Sequence, residues 1–384
     1  MQSMGSPNRY FDNAALAFPR SEGVEEGMAR YLAAGASYGR ASHGRALDAA
    51  RMVEEARGLL SALLGVSRPQ RISFALNATV AINTVLRGFP YRAWRVLISP
   101  MEHNAVTRTL AGEGVGYDLL PALPSGLIDL GRLAGRDLSG YDLVVVNGAS
   151  NVNGVVQPLG ALRGVLGEAI PLMVDASQVV GHSPLAVEEW GIDFLAFSGH
   201  KGLASTTGAG CLYQSGRVAL RPLVYGGTGS GRSADDMPEV LPDAFEAGTH
   251  NMLGIAALLG ALRRPLDRAH GREDFARLLA GLRAMPGLRV YHGHGVEGGR
   301  TGHDLPPEPI ELLSLVPTGM EVSDLAYRLY AEHGIELRSG LHCASLAHRH
   351  LGTYPEGTVR LSLSPAHTAE ELAYLLGAVR SVVS

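Results

Sequence analysis

The chain contains one lysine, Lys201, among 33 basic residues, so 33 − 1 = 32 are arginine. Where arginine is accepted at almost every cationic position, the exception marks a place that arginine cannot fill. A guanidinium stays protonated and is no nucleophile, whereas a lysine amine can shed its proton and form a Schiff base with a carbonyl. Lys201 follows the apolar run Phe194-Leu-Ala-Phe197 in the segment Ser198-Gly-His200-Lys201-Gly, which reads as a buried strand running into a turn. Two more groups have the chemistry of a site: Asp175 in Asp-Ala-Ser-Gln178, and Cys343, one of only two cysteines. Cys343 has His342 beside it and Arg338 five positions earlier (343 − 338 = 5), a positive setting that favours a nucleophilic thiolate. Cys211, inside the apolar Gly210-Cys-Leu-Tyr213, reads as a small buried hydrophobe.

A Schiff-base lysine calls for a carbonyl cofactor, and pyridoxal 5′-phosphate has needs that the chain can be checked against. The pyridinium nitrogen requires an anion, which Asp175 can supply, with Gln178 in reach of the phenolic oxygen. The phosphate requires N–H groups at a helix start. Asn77-Ala78-Thr79 leads into an expected helix from Val80 to Arg87, and Ser198 and His200 add donors beside the lysine. The ring face requires a flat neighbour, and His103 could stack there, although it could also simply cap the helix that follows.

These residues need elements to position them. Short, continuously apolar runs recur, each followed by polar residues: Ile72–Leu76, Val96–Ile98, Leu143–Val146, Leu172–Val174 and Phe194–Phe197, with Gly210–Tyr213 closing the series. Such runs alternating with helical patterns predict a parallel-type sheet covered on both faces. Ligands bind such sheets outside the carboxyl ends of the strands, where five successive ends here carry the candidate residues. Helices are expected over 22–34 and from Arg45 to Leu64, with a Gly-rich loop between, and a short strand-like segment at Tyr10–Ala15. Beyond Pro242 the texture changes. Helices over Asn251–Leu262, Arg272–Met285 and Val322–His333 and a last one from Ala369 interleave with strands at Ile310–Val316, Ile335–Arg338 and Thr358–Ser364. A loose stretch from Val290 to Pro309 and a loop containing Cys343 complete this part, which reads as a smaller second domain.

Composition excludes several classes. The net charge is −4, without a basic run, which argues against nucleic acid and anionic membrane as partners. Two cysteines are too few for a disulfide framework and fit a reducing cytoplasm. No apolar stretch reaches the ~20 residues that span a bilayer, and residues 1–7 lack the pattern of an export signal. Neither Cys343, His348 and His350 nor His292, His294 and His303 completes a tetrahedral metal set.

The motifs together resemble the class V aminotransferases of PLP fold type I, and within them the cysteine desulfurase and selenocysteine lyase group. They are Asn77-Ala-Thr79, Glu102-His103-Asn104, Ser150-Asn151-Val152, Asp175-Ala-Ser-Gln178, Ser198-Gly-His200-Lys201, Gly226-Gly-Thr228-Gly229, Glu246-Ala-Gly-Thr249-His-Asn251, Arg338-Ser-Gly-Leu-His342-Cys343 and Val359-Arg360-Leu-Ser. The resemblance implies a large domain over residues 16–255 with a mostly parallel sheet flanked by helices. It also implies a smaller α+β domain made of residues 1–15 and 256–384. In it Lys201 carries the cofactor and shuttles the proton, Asp175 pairs with the pyridinium, and Gln178 and Asn151 lie at the phenolic oxygen. Ala78, Thr79, Ser198 and His200 hold the phosphate and His103 stacks on the ring. Thr249 reaches the cofactor of the other subunit of a homodimer with shared sites. Arg360 grips the substrate carboxylate, and Asn13, Ala14, His43, Arg338 and His342 line the substrate pocket. Outside the resemblance, Asn151 could be only a turn residue and Arg360 only a surface charge. Segments 204–210 and 364–368 depart from the family's pattern.

The lysine leaves the reaction open, and Cys343 selects it. The expected reaction is that of a cysteine desulfurase: L-cysteine becomes L-alanine while its sulfur passes to Cys343 as a persulfide and then to an acceptor protein or a reductant. Three readings compete: a selenocysteine lyase, a class V lyase or transaminase in which Cys343 is incidental, and a non-catalytic scaffold of the same fold.

Overall fold

A computed structural model of the chain describes residues 8–36, 38–39, 41–229, 235–293 and 307–384. His294 and His303 and the terminal segment 1–7 lie outside the described residues, as do residues 37 and 40 of the Gly-rich loop. Two helices open the chain, α1 (Glu22–Ala34) and α2 (Gly44–Leu64). There follow β1 (Ile72–Ala75), α3 (Ala78–Gly88), β2 (Arg95–Ile98), α4 (Asn104–Glu113), β3 (Gly116–Leu119) and α5 (Leu130–Leu133). Next come β4 (Leu143–Asn147), α6 (Leu159–Leu166), β5 (Leu172–Asp175), β6 (Phe194–Ser198) and β7 (Gly210–Gln214). These seven strands form one sheet in the order β1-β7-β6-β5-β4-β2-β3.

Apolar runs specify the middle of that sheet. All residues of β4, β5, β6 and β7 are buried, as a strand covered on both faces must be. The neighbours β3/β2, β2/β4, β4/β5 and β5/β6 pair in parallel. The last strand of the expected parallel series does not. Strand β7 runs antiparallel to both β6 and β1. A parallel return needs a crossover long enough to hold a helix, and residues 199–209 form only turns. That short turn lies at the carboxyl end of β6 and contains Lys201.

The remaining elements are α7 (Met252–Arg263), α8 (Arg272–Arg283), β8 (Leu288–Tyr291), β9 (Leu312–Pro317), α9 (Val322–His333), β10 (Arg338–Gly340), α10 (Ser345–Leu351), β11 (Thr358–Ser362) and α11 (Ala369–Val383). Strands β10-β11-β9-β8 make a second, wholly antiparallel sheet. Helices α8, α9 and α11 supply Leu278, Leu325, Leu329, Leu375 and Val379 to its core, and Phe11 from the N-terminal segment joins them. Three expectations shift here. Val290 and Tyr291 belong to a strand rather than to a loose stretch, because β9 offers them an antiparallel partner. The expected strand at Ile335–Arg338 begins instead at Arg338. The loop containing Cys343 ends in the short helix α10.

The expected domain boundary at residue 255 falls inside α7. This helix packs on α1 so closely that a Cβ on Gly260 would come within 1.9 Å of Gly23 O, and one on Gly23 within 2.1 Å of Gly260 O. Only glycine permits that approach. Helix α7 therefore sits with α1 and α2. No helix among the described residues is long and apolar enough to cross a membrane.

Candidate active site

The carboxyl ends of β1, β4, β5 and β6, with the turn after β2, enclose a cavity of ≈ 250 Å³ lined by Asn77, Ala78, Thr79, His103, Asn151, Asp175, Gln178, Ser198, His200 and Lys201, among others. Residues brought together from positions 77 to 201 thus share one space, as the strand-end argument requires. At one side stands the start of α3, where Asn77 caps the helix by accepting from the Val80 N–H at 3.0 Å. The helix begins two residues earlier than expected, and Ser198 Oγ takes its first N–H, that of Ala78, at 2.8 Å. His200 adds a ring whose Nδ1 is buried without a hydrogen-bond partner.

Asp175 ends β5 and is buried, with one carboxylate oxygen accepting the Ser177 N–H at 3.0 Å. Lys201 lies in the same cavity. Burial lowers the pKa of its amine, while the Asp175 charge acts against that shift. Burial likewise lowers the pKa of His200, to about 4.

His103 takes the capping role and also lines the cavity: it caps α4, with Nδ1 accepting from the Ala105 N–H at 3.0 Å. The accepting Nδ1 leaves Nε2 to carry the proton of a neutral ring. Burial lowers its pKa, Lys201, Arg338 and Arg108 act in the same direction, and Asp175 opposes them. Gln178 commits Nε2 to Ala14 O at 2.9 Å, so one of its donors serves the N-terminal segment.

That segment joins the second sheet to the cavity wall without lining the cavity itself. Asn13 is buried, donating to Tyr10 O and Ser362 O and accepting from the Phe18 N–H. Arg360, 1 % exposed, donates to Asn151 O at 3.1 Å and to Asp12 Oδ1 at 2.5 Å. Its Nε is buried without a partner. Asp12 was absent from the residues singled out by sequence, although it directly precedes Asn13. The altered segment 364–368 packs on Phe11 of the N-terminal segment: His367 stacks on its ring at 4.4 Å and accepts from the Ser364 N–H.

Cys343 is exposed. It lines a groove of ≈ 450 Å³ between α3 and α4 that shares Thr79, His103 and Ala105 with the cavity. Arg338 Nη2 lies 3.7 Å from its Sγ, the positive neighbour expected. His342 is not one. It is buried, with Nε2 at 3.1 Å from Thr358 O, and burial pushes its pKa down to about 2. Its ring therefore stays neutral and packs against Thr358 of the second sheet. Cys211 is buried in β7, and burial pushes its thiol up.

Two expected residues stand elsewhere in this chain. His43 caps α2 from an exposed position, its Nδ1 accepting from the Ala46 N–H. Thr249 lines a separate cavity with Phe74, Glu246 and His250. Its segment is anchored by Glu246, which accepts from Arg57 at 3.0 and 3.1 Å and from the Phe74 N–H at 2.7 Å and meets His250 Nε2 at 2.9 Å. Glu102 was read only as part of a motif. It is fully buried beneath the cavity, accepting from Ser99 Oγ and the Asn147 N–H, and Asn147 is the register partner of Asp175. Burial pushes its pKa up to about 8.

A family model, Aminotransferase class-V, matches residues 9–375. The chain is 32 % identical to a probable cysteine desulfurase of Methanothermobacter thermautotrophicus, across 95 % of this chain and 92 % of that protein. It is 29 % identical to a probable cysteine desulfurase of Xylella fastidiosa, across 98 % and 91 %. Among solved structures it is similar to an apo cysteine desulfurase from Thermococcus onnurineus, with TM-score 0.83 and 27 % identity over 97 % of this chain and 94 % of that one. The S-sulfonic acid form of the cysteine desulfurase CsdA from Escherichia coli gives TM-score 0.81 and 26 % identity over 98 % and 95 %. With one family matched almost end to end and its fold shared, the chain belongs to the class-V aminotransferases.

Proposed function

We propose that this chain is a pyridoxal phosphate-dependent cysteine desulfurase, which converts L-cysteine to L-alanine and takes up the sulfur on Cys343. The observation that carries the reading is the meeting of two surfaces: the cavity around Lys201 and the groove holding Cys343 share Thr79, His103 and Ala105. Class-V aminotransferases and cysteine desulfurases are pyridoxal phosphate enzymes, and the donor set fits that group. A carboxylate is available to a pyridinium, the start of α3 and the partnerless His200 Nδ1 to a phosphate, and a desolvated amine to an aldehyde. Asp175, Gln178 and Asn151 would hold the ring, with His103 against its face, and Ala78, Thr79, Ser198 and His200 the phosphate. When bound, the cofactor supplies an electron sink that weakens the bonds at the substrate Cα.

The protein's residues perform the rest. Arg360, which already donates to Asp12 and Asn151 O, meets the substrate carboxylate, and its buried Nε–H is free of a protein partner for that contact. The Lys201 amine, its pKa lowered by burial, removes the Cα proton and returns protons to the carbon skeleton. The Cys343 thiolate attacks the substrate sulfur, with the Arg338 guanidinium 3.7 Å from it balancing its charge. An S–S bond forms as the Cβ–S bond breaks, so cysteine and one thiol give alanine and one persulfide. Exposure of Cys343 lets that sulfur pass to an acceptor.

A homodimer in which Thr249 serves the other subunit's site accounts for a position outside its own cavity. A cytoplasmic location is part of the same reading, supported by a cysteine count that fits a reducing compartment. Alanine formation from L-cysteine by the holoenzyme tests the assignment, and Cys343→Ala should abolish it while the cofactor absorbance persists. Desulfuration undiminished in Cys343→Ala would overturn the role of the thiol. Parallel turnover of selenocysteine decides which chalcogen the site serves.

A further inference from the structure

His342 is buried and takes no part in the chemistry above, yet it adjoins the residue that receives the sulfur. His342 and Cys343 are the central pair of a turn closed by the Ala344 N–H donating to Leu341 O at 2.8 Å. Both have φ in the left-handed region, 48° and 56°, where residues with side chains are uncommon and must be held by their surroundings. Glycine would adopt the turn freely but would anchor nothing.

The anchoring is specific. The Thr358 hydroxyl donates to Ser314 Oγ at 2.8 Å, and Ser314 in turn donates to Val152 O at 2.6 Å. With its proton spent there, Thr358 Oγ1 is an acceptor, as is Thr358 O. His342 Nε2 lies 3.0 and 3.1 Å from those two atoms, so it carries the ring proton and donates to β11. The carbonyls of the turn are fastened to the cavity wall. His342 O accepts from Asn151 Nδ2 at 2.8 Å, and Cys343 O accepts from the Asn104 N–H, next to His103, at 2.7 Å.

We propose that His342 is a positioning residue whose donated hydrogen bond to β11 latches the Leu341–Ala344 turn and holds Cys343 where the groove meets the cavity. The latch rests on the reading of Cys343 as sulfur acceptor and adds to it how the thiol is held against backbone strain. It also explains why a neutral, buried histidine stands beside a thiol: its task is mechanical, and its charge is not used.

The test compares two substitutions of similar size in the holoenzyme. His342→Gln keeps an N–H at a similar reach, whereas His342→Leu fills the space without a donor. Misplacement of a reacting group by about 1 Å can cost on the order of 10²-fold, so His342→Leu should lower kcat for alanine formation by ~10- to 100-fold. His342→Gln should stay within about threefold of the parent. In both, KM for cysteine and the cofactor absorbance should be unchanged, and the burst of Cys343 persulfide in a single turnover should slow only in His342→Leu. Thr358→Val, which preserves the β-branched shape and removes Oγ1, should give a smaller loss of the same kind. Equal kcat in the Leu and Gln variants overturns the latch, as does a loss accompanied by loss of cofactor absorbance. Alanine formation surviving in Cys343→Ala would defeat the sulfur-acceptor role of the thiol, and no alanine formation by the parent holoenzyme would defeat the desulfurase reading itself. A requirement for Cys343 with full activity in His342→Leu would defeat the latch alone.

Discussion

The turn after β6 and the turn before α10 carry the two residues on which the proposed reaction depends, and they are built in opposite ways. Lys201 follows a fully buried strand, inside a cavity whose walls desolvate it, with the Asp175 charge as the largest effect opposing that. Cys343 sits at an exposed turn of the second sheet, in a left-handed conformation, with a guanidinium beside it. The first arrangement tunes a proton by excluding water. The second presents a sulfur to whatever comes to collect it. An enzyme that must both loosen a bond at Cα and hand sulfur to an external acceptor needs one group of each kind, and a single pocket could not hold both equally well.

The contrast can be broken at either end. Lys201→Ala should cost the most: desulfuration falls by on the order of 10³-fold or more, since general acid–base catalysis alone supplies 10²–10⁴-fold. The absorbance of the lysine-linked cofactor, at roughly 420 nm, should shift as the covalent link is lost, which a spectrum of the purified protein records. Cys343→Ala should abolish alanine formation but spare deuterium exchange at the substrate Cα, measured by NMR in D₂O. Loss of both together would show that the two ends are not separable. Arg338→Met should slow persulfide formation by about tenfold, in line with removing one charge–charge contact, and should leave Cα exchange alone.

The smallest effect sharpens the claim that the lysine end is tuned by burial. Glu102 has its pKa raised from 4.5 to about 8, chiefly by burial, with the Asp175 charge adding to it. Between those values the folded protein holds a proton that the unfolded chain releases. Its contribution to stability is therefore complete at low pH and lost as pH rises through that window. Glu102→Gln preserves the neutral shape, so its melting temperature should fall less between about pH 5 and 8 than that of the parent protein. Identical slopes in thermal melts of the two proteins would contradict a protonated Glu102.

Much of the lysine end was legible in the sequence because its residues terminate strands. The ends of β1, β4, β5 and β6 and the turn after β2 announce themselves as apolar runs broken by Asn, His, Ser or Asp, and a parallel sheet collects such ends on one side. The direction of β7 was not legible, because Gly210–Tyr213 is as apolar as its neighbours and only the length of the preceding turn distinguishes it. The cysteine end was harder. Arg338 was recognisable five residues before the thiol, but His342 was read as a charge when it is a buried donor to Thr358. Nothing local shows which way a histidine at a turn will point. Asp12 was passed over for the same reason, since its partner Arg360 lies 348 positions away.

The sequence by itself pointed to the cofactor chemistry: one lysine where arginine fills the other 32 basic positions, and an aspartate at the end of a buried strand. Those signals survive without coordinates because they depend on residue type and on local periodicity. Only the tertiary structure decided the rest: that Cys343 lies in a groove sharing a wall with the lysine cavity, that His342 latches its turn, and that Asp12 stands on Arg360. Each joins segments far apart in the chain, and such contacts are set by how two sheets pack, which no stretch of sequence carries alone.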